Sequence, residues 1–416
     1  MKRPILLFMV VWSIGFAAAG LAASQPPPPR NAPKLIVIND DGFSAFHGGA
    51  YKSADDIRKQ ILRYRDTQVA VLEWCFISGS RVNFPSKTTE LIGDGVPEFP
   101  RRGDKLCAET LRRLATEGVD TLDVAARACH DAGLRCYASM RMNGDYPASW
   151  MGETVPRMFN GRFWWDNPRF RVRGKKGEDL TKLSYAFAEV RDFKFRILRE
   201  VVERDVDGVN LDFVRHPPFF GYEEPLVAAF KAKYGQDPRE LAADDSRWLE
   251  LRCDVMTGFL KDIRALLDKA GERKGRHLGL SARVDWKQYR QWGCDIERWV
   301  KDGLLDYLVL AQHTLGGYEF DLKPFVSMAR GSGCAVLFGE EATLSGHDRT
   351  PQEDKLIAEG KMKPPKRDHL SPEQYRDRAA RWYAAGADGI HVFNDWNNLP
   401  VLKTLGSFSR PDKTPQ

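Results

Sequence analysis

Carboxylates, amides, guanidinium groups and indoles recur in this chain just after short apolar runs. The densest instance is Asp207 to Pro217, Asp-Gly-Val-Asn-Leu-Asp-Phe-Val-Arg-His-Pro. On a strand period of two, Val209, Leu211 and Phe213 point one way and Asn210 and Asp212 the other. An isolated carboxylate is costly in an apolar interior. That polar face is therefore expected to line a pocket, with Asp212 where the strand ends. Similar clusters close other apolar runs: Asp40 and Asp41; Glu73 and Trp74; Arg141 and Asn143; Arg283 and Asp285; Gln312 and His313; Glu340 and Glu341; Asn394, Asp395 and Trp396. Carboxylates move protons or attack carbon, Asn, Gln and Arg bind hydroxyls, and Trp faces stack on a pyranose ring. The set predicts a sugar site.

Cleavage of a glycosidic bond ordinarily uses two carboxyl groups that flank it, about 5–5.5 Å apart for retention and about 6.5–9.5 Å for inversion. Asp212 is the first expected member. The second must come from across the mouth, and Glu340 is the expectation. On the two-residue period Glu340 shares a face with Val336 and Phe338, and Glu341 takes the other. Glu73, Asp285 and Glu341 compete for the role. Substrate binding is expected from Asp40, Asp41, Glu73, Trp74, Arg141, Asn143, Asn210, Arg215, Arg283, Asp285, Gln312, His313, Asn394, Asp395 and Trp396, with Trp150, Trp164 and Trp165 added from a long loop.

The elements that must position these residues alternate along the chain. Apolar runs at Leu35–Ile38, Val69–Leu72, Leu134–Met140, Val209–Phe213, Leu278–Ala282, Tyr307–Ala311, Ala335–Phe338 and Gly389–Phe393 read as strands. Nearly all are separated by helical stretches, among them one that opens at Ser53 and one that opens at Ser371-Pro372 and stops at Gly386. Such alternation predicts a parallel sheet. Eight units with their polar residues after the strands predict an α/β fold, a (β/α)8 TIM barrel with long βα loops. A doubly wound open sheet is the runner-up, but no Gly-rich phosphate loop follows the first strand.

The stretch Asp207 to Pro217 resembles the strand-four signature of the bacterial glycosyl hydrolase-like family 10, D-G-[IV]-H-[LF]-D-Y-[VI]-R-[YF]-P. Asp207, Gly208, Val209, Leu211, Asp212, Val214, Arg215 and Pro217 match it, while Asn210, Phe213 and His216 depart from it. The resemblance implies a barrel, frequent export, and glycosidase activity of the kind that acts on peptidoglycan glycan, with Asp212 at the centre of the site. A second stretch, Ile36-Val37-Ile38-Asn39-Asp40-Asp41-Gly42, is similar to the first motif of polysaccharide deacetylases. That alternative is a metal-dependent carbohydrate esterase, which needs two His at i and i+4, and no His-x-x-x-His occurs here. The further alternative is a catalytically inactive glycan-binding barrel.

Composition bounds the rest. The chain has 416 residues, 43% of them hydrophobic, and a net charge of +6 with no Lys/Arg-rich run, so no nucleic-acid partner is expected. Lys2 and Arg3 before an apolar run to about Ala19, with small residues at Ala22 to Ser24, read as a signal peptide over residues 1–24. A Pro-rich spacer follows at 25–33, then one catalytic barrel at 34–405 and a polar tail at 406–416. A secreted or periplasmic protein is expected, with an oligo- or polysaccharide as partner and no membrane partner once the leader is removed; the alternative is an uncleaved membrane anchor, since the apolar run approaches the length of a short span. Neither a cofactor nor a metal is expected. The seven scattered cysteines show no metal-ligand or disulfide spacing and read as buried thiols.

Overall fold

Eight parallel strands close on themselves in this protein, whose computed structural model describes residues 33–99, 101–147, 154–312, 320–341, 343–345, 350–366, 368–395 and 399–407. The strands are β1 Leu35–Asp40, β2 Val69–Ser78, β3 Arg135–Arg141, β4 Gly208–Asp212, β5 Gly279–Asp285, β6 Tyr307–Ala311, β7 Ala335–Glu341 and β8 Gly389–Phe393. Each pairs in parallel with its sequence neighbours, and β8 pairs back onto β1. The fold is the (β/α)8 barrel. All eight strands lie where the apolar runs put them. The leader, nearly all of the spacer and the tail beyond 407 lie outside the described residues, as do His313, Trp396 and Trp150. No described helix is long and apolar enough to cross a membrane.

Local chemistry sets the helix boundaries. Ser53 accepts a hydrogen bond from the Asp56 amide to start Ala54–Leu62, and Asp120 accepts from Leu122 and Asp123 to start Thr121–Asp131. Pro372–Ala384 opens with a capping box in which the Ser371 and Gln374 side chains each bond the other's backbone amide. These caps satisfy amide groups that no intrahelical carbonyl can reach.

Side chains alternate between two environments along every strand. Ile36, Ile38, Leu72, Ala138, Leu211, Val336 and Phe338 pack outward, into the apolar shell beneath the helices. Val37, Val71, Tyr137, Val309 and Leu337 form a separate apolar plug inside the barrel, near its base. The plug needs room, because β4 and β5 register Gly208 and Gly279 beside Tyr137. A Cβ on Gly279 would meet the Tyr137 hydroxyl oxygen at 1.8 Å, so a large aromatic on β3 requires glycine there. Above the plug the inward residues turn polar. Register stacks them in rows: Ser139, Asn210 and Ser281 across β3 to β5, then Arg141, Asp212 and Arg283 at the strand ends.

The long loop after β3 folds on itself over this end. It contains an antiparallel pair, Arg171–Arg173 with Asp179–Leu183. Its own small core joins Trp164, Phe170, Leu183 and Val190. Trp164 and Trp165 donate to the Thr181 and Asn160 carbonyls, so both indoles are used in building the loop. All seven cysteines are buried and free.

Candidate active site

The carboxyl ends of the strands carry an ion-pair chain on the inward face. Arg283, from β5, lies between two carboxylates. Its Nη1 is 3.3 Å from both oxygens of Asp212, and its Nη2 is 3.0 Å from Oε1 of Glu341 on β7. The Arg283 side chain is 1% exposed, and its guanidinium sits 4.6 Å from the centroid of the Phe393 ring, on β8. Asp212 also accepts the Val214 amide at 3.0 Å, which fixes its carboxyl at the turn leaving β4. Its side chain is 4% exposed and that of Glu341 13% exposed.

Beside this chain lies a second group. Asp41 accepts the Phe43 and Ser44 amides, the Ser44 hydroxyl and, at 3.0 Å, the Asn394 amide group. Arg141 approaches it at 3.8 Å. Burial works against the ionised form of Asp41, but the Arg141 charge and the Ser44 hydrogen bonds outweigh it and hold the carboxyl below its usual range. Arg141 stays protonated despite burial because it faces Asp41 and Asp212. Cys75, inward on β2, sits among these charges, with burial pushing its thiol up to about 11.

One layer deeper runs a hydrogen-bonded line across the lumen. Ser139 donates to Asn210 Oδ1 at 2.9 Å, Asn210 Nδ2 donates to the Ser281 oxygen at 2.8 Å, and Ser281 donates to Glu73 Oε1 at 3.2 Å. Glu73 Oε2 lies 2.9 Å from His391 Nε2. All five side chains are buried. Buried polar groups of this kind are tolerated because each side chain finds a partner in the line, although Nδ1 of His391 at its end has none among the described residues. Sequence reasoning named Glu73 and Asn210 but missed Ser139, Ser281 and His391. The signal was available: in Gly-Ile-His-Val-Phe, as in Val-Asn-Leu-Asp, a polar residue interrupts an apolar strand on the inward period.

Other expected residues point elsewhere, and strand parity is the reason. Glu340 follows Val336 and Phe338 on the outward face. It is fully buried beneath the Pro372–Ala384 helix, where Arg378 donates to its Oε2 at 2.7 Å. The Trp382 ring of that helix stacks on Phe338 at 4.0 Å, closing the same outer layer. Burial, only partly offset by Arg378, pushes the Glu340 carboxyl up to about 7. Asp40 is likewise outward: it accepts the Tyr51 hydroxyl at 2.7 Å and the Gly42 amide at 2.8 Å. Burial and then the adjacent Asp41 charge push its carboxyl up to about 8. Trp74 is buried on that side and stacks on Tyr51 at 5.8 Å. Asp395 accepts the Tyr375 hydroxyl at 2.8 Å, which ties it to the helix layer.

The remaining residues hold the rim. Asn143 donates to the Leu183 and Pro218 carbonyls and so joins the loops after β3 and β4. Asp285 accepts the Lys287 and Gln288 amides at the turn after β5. Gln312 follows β6 half-buried. Arg215 lies with its guanidinium 5.6 Å from the Phe393 centroid. Asp40 and Asp41 thus face opposite sides of β1, and among the described residues no three His, Cys, Asp or Glu side chains form a group that could hold a metal ion.

Comparison with solved structures returns barrels. The catalytic domain of beta-amylase from Paenibacillus polymyxa superposes with a TM-score of 0.52 at 12% identity, covering 88% of this chain and 94% of that one. A family GH18 chitinase from Chromobacterium violaceum gives a TM-score of 0.45 at 12% identity, over 93% of this chain and 73% of the other. At 12% identity the likeness to the beta-amylase domain is one of fold. No curated protein matched. The stretch carrying β3 to β6, residues 115–314, matches the family model described as Glycosyl hydrolase-like 10, the family that the Asp207 to Pro217 motif resembles.

Proposed function

We propose that this protein hydrolyses glycosidic bonds in an oligo- or polysaccharide, with Asp212 and Glu341 as the carboxylate pair. The observation that carries the reading is the Asp212–Arg283–Glu341 chain on the inward face, at the end where barrels of this kind do chemistry. One guanidinium touches both carboxyls, so their nearest oxygens lie no farther apart than roughly 9 Å, an upper bound that admits the spacing of flanking carboxylates. Glu341, the more exposed of the two, is read as the proton donor and acceptor at the glycosidic oxygen. Asp212, fixed by Arg283 and the Val214 amide, is read as the group facing the anomeric carbon. Glu340, the first expectation for the second carboxylate, lacks a route to the same sugar because its carboxyl is sealed against Arg378 on the other side of the strand.

Asp41, Asn394 and Arg141 are suited to bind sugar hydroxyls, and the buried line from Ser139 to His391 to keep the floor beneath them in place. Residues 1–24 are read as an export leader, which puts the reaction outside the cytoplasm. The test is a panel of glycans incubated with the purified chain and assayed for new reducing ends. Activity is expected in the parent and is expected to be lost in Asp212→Asn and Glu341→Gln. Glycan binding without reducing ends from the parent would support the inactive glycan-binding barrel instead.

A further inference from the structure

On the outer wall of the barrel, the helices that lead into β4 and β5, Ala188–Glu203 and Ser246–Lys274, leave a solvent-facing groove of about 770 Å³ between them. Its middle is apolar, with Phe195 and Leu266 half-buried and Ala265 exposed. Toward the mouth it carries Asp192 and Asp262, and toward the base Arg199 and Lys269. Asp192 meets Arg196 of its own helix at 3.0 Å, whereas Asp262, Arg199 and Lys269 make no ion pair among the described residues. Arg191 also lines the mouth end, but its guanidinium donates to the Tyr185 and Ala186 carbonyls. The spacing of these groups is symmetric. Asp192 and Arg199 stand seven residues apart, as do Asp262 and Lys269, and Phe195 and Ala265-Leu266 fall midway. Glu203 and Arg273, ion-paired at 3.0 Å, each lie four residues beyond the basic member, so the two series are level. Phe259, Asp262, Leu266, Lys269 and Arg273 step by three and four, as the packed face of a helical bundle does.

We propose that a second copy of this chain docks on the groove, the two helix pairs lying antiparallel as a four-helix bundle about a two-fold axis. The axis crosses both helices at the level of Phe195 and Leu266, so these side chains from the two copies fill the centre. It sets Asp262 of one copy opposite Lys269 of the other and Asp192 opposite Arg199, each pairing occurring twice. A parallel arrangement would instead set acid against acid at one end and base against base at the other, which opposes association. The charge pattern therefore selects one orientation, and a face that complements itself is what a two-fold dimer requires. The shorter helix spans about 24 Å. A face of that length is smaller than a standard interface, so the dimer dissociates on dilution. It lies away from the Asp212–Arg283–Glu341 chain and stands whether or not the reading of that site does.

The test is sedimentation velocity on the whole chain over a concentration series. The parent should pass from monomer to dimer as concentration rises. Asp262→Lys or Lys269→Asp alone should raise the dissociation constant roughly tenfold or more, because the two-fold axis makes each reversal count twice. The double variant, Asp262→Lys with Lys269→Asp, exchanges the two charges and should bring the constant back toward that of the parent. Both side chains are exposed, so the substitutions leave the barrel core untouched. Ala265→Cys supplies an independent readout. The seven native thiols are buried, so oxidised glutathione should join two copies through residue 265, beside the axis. A parent that stays monomeric at every concentration would overturn the proposal and leave the groove to a helix of another protein. Single reversals without effect, a double reversal no tighter than the singles, or no covalent dimer from Ala265→Cys would overturn it as well.

Discussion

Two pairs of adjacent acids end strands of this barrel, Asp40 with Asp41 on β1 and Glu340 with Glu341 on β7, and in each pair one residue faces the mouth and the other the helices. The inward members meet charged and polar partners: Arg283 for Glu341, and Arg141 with Asn394 for Asp41. The outward members are sealed under helices, Glu340 against Arg378 and Asp40 against Tyr51, and burial pushes their carboxyls up to about 7 and about 8. One residue of offset separates a group suited to chemistry from a group that seals the shell, because a strand turns successive side chains to opposite faces. Carboxylates of identical type therefore owe their surroundings to parity, and experiments can separate the roles proposed for them.

The largest expected effect is on the inward pair. Asp212→Asn or Glu341→Gln should lower kcat on the proper glycan by roughly 10³-fold, the scale of losing an acid, base or nucleophile. Steady-state kinetics with a reducing-end assay measures it, and retention of activity in Glu341→Gln with loss in Glu340→Gln would reverse the comparison. Arg283→Met comes next. It leaves two inward carboxylates without their shared cation, and such a loss costs about 3–5 kcal/mol of stability. Urea unfolding should register this as a lower midpoint at pH 7.

The outward pair should declare itself in the pH dependence of stability. Both carboxyls are raised above their unfolded values, so the folded state holds more protons than the unfolded one between those values. The stability this gives is present in full below about pH 4 and is lost as pH rises through about 7 for Glu340 and about 8 for Asp40. Glu340→Gln should therefore flatten the decline of Tm between pH 5 and 8, an effect on the order of 1–3 kcal/mol. Thermal melts across that range check it, and an unchanged slope would mean that the carboxyl ionises without cost. The smallest effect belongs to Trp74→Phe. It should cost roughly 1–2 kcal/mol through lost packing on Tyr51, and a tenfold rise in KM would show instead that the indole reaches the sugar.

Much of this was legible beforehand. The eight strands were visible because each is a short apolar run between turn residues, and Ser53 and Ser371 marked helix starts by a chemistry that needs no tertiary context. Asp212 was legible for a related reason: in Val-Asn-Leu-Asp-Phe the polar and apolar residues alternate, so the strand declares its own faces. Strand β7 does not. Ala335-Val336-Leu337-Phe338 is apolar without interruption, because its outward residues pack on helices while Leu337 joins the plug inside the barrel. With both faces apolar, the pattern leaves open which of Glu340 and Glu341 turns inward. His391 was overlooked although Ile390 and Val392 flank it as Leu211 and Val209 flank Asn210.

The sequence by itself determined the order of the elements, their boundaries and the strand ends at which polar groups gather, since propensity, capping and periodicity act between residues close along the chain. Only the closed barrel decided which of those groups meet. Arg283 reaches Asp212 from 71 residues away and Glu341 from 58, and Glu73 finds His391 across 318. Such contacts depend on register and closure, which belong to all eight strands at once and to no single segment.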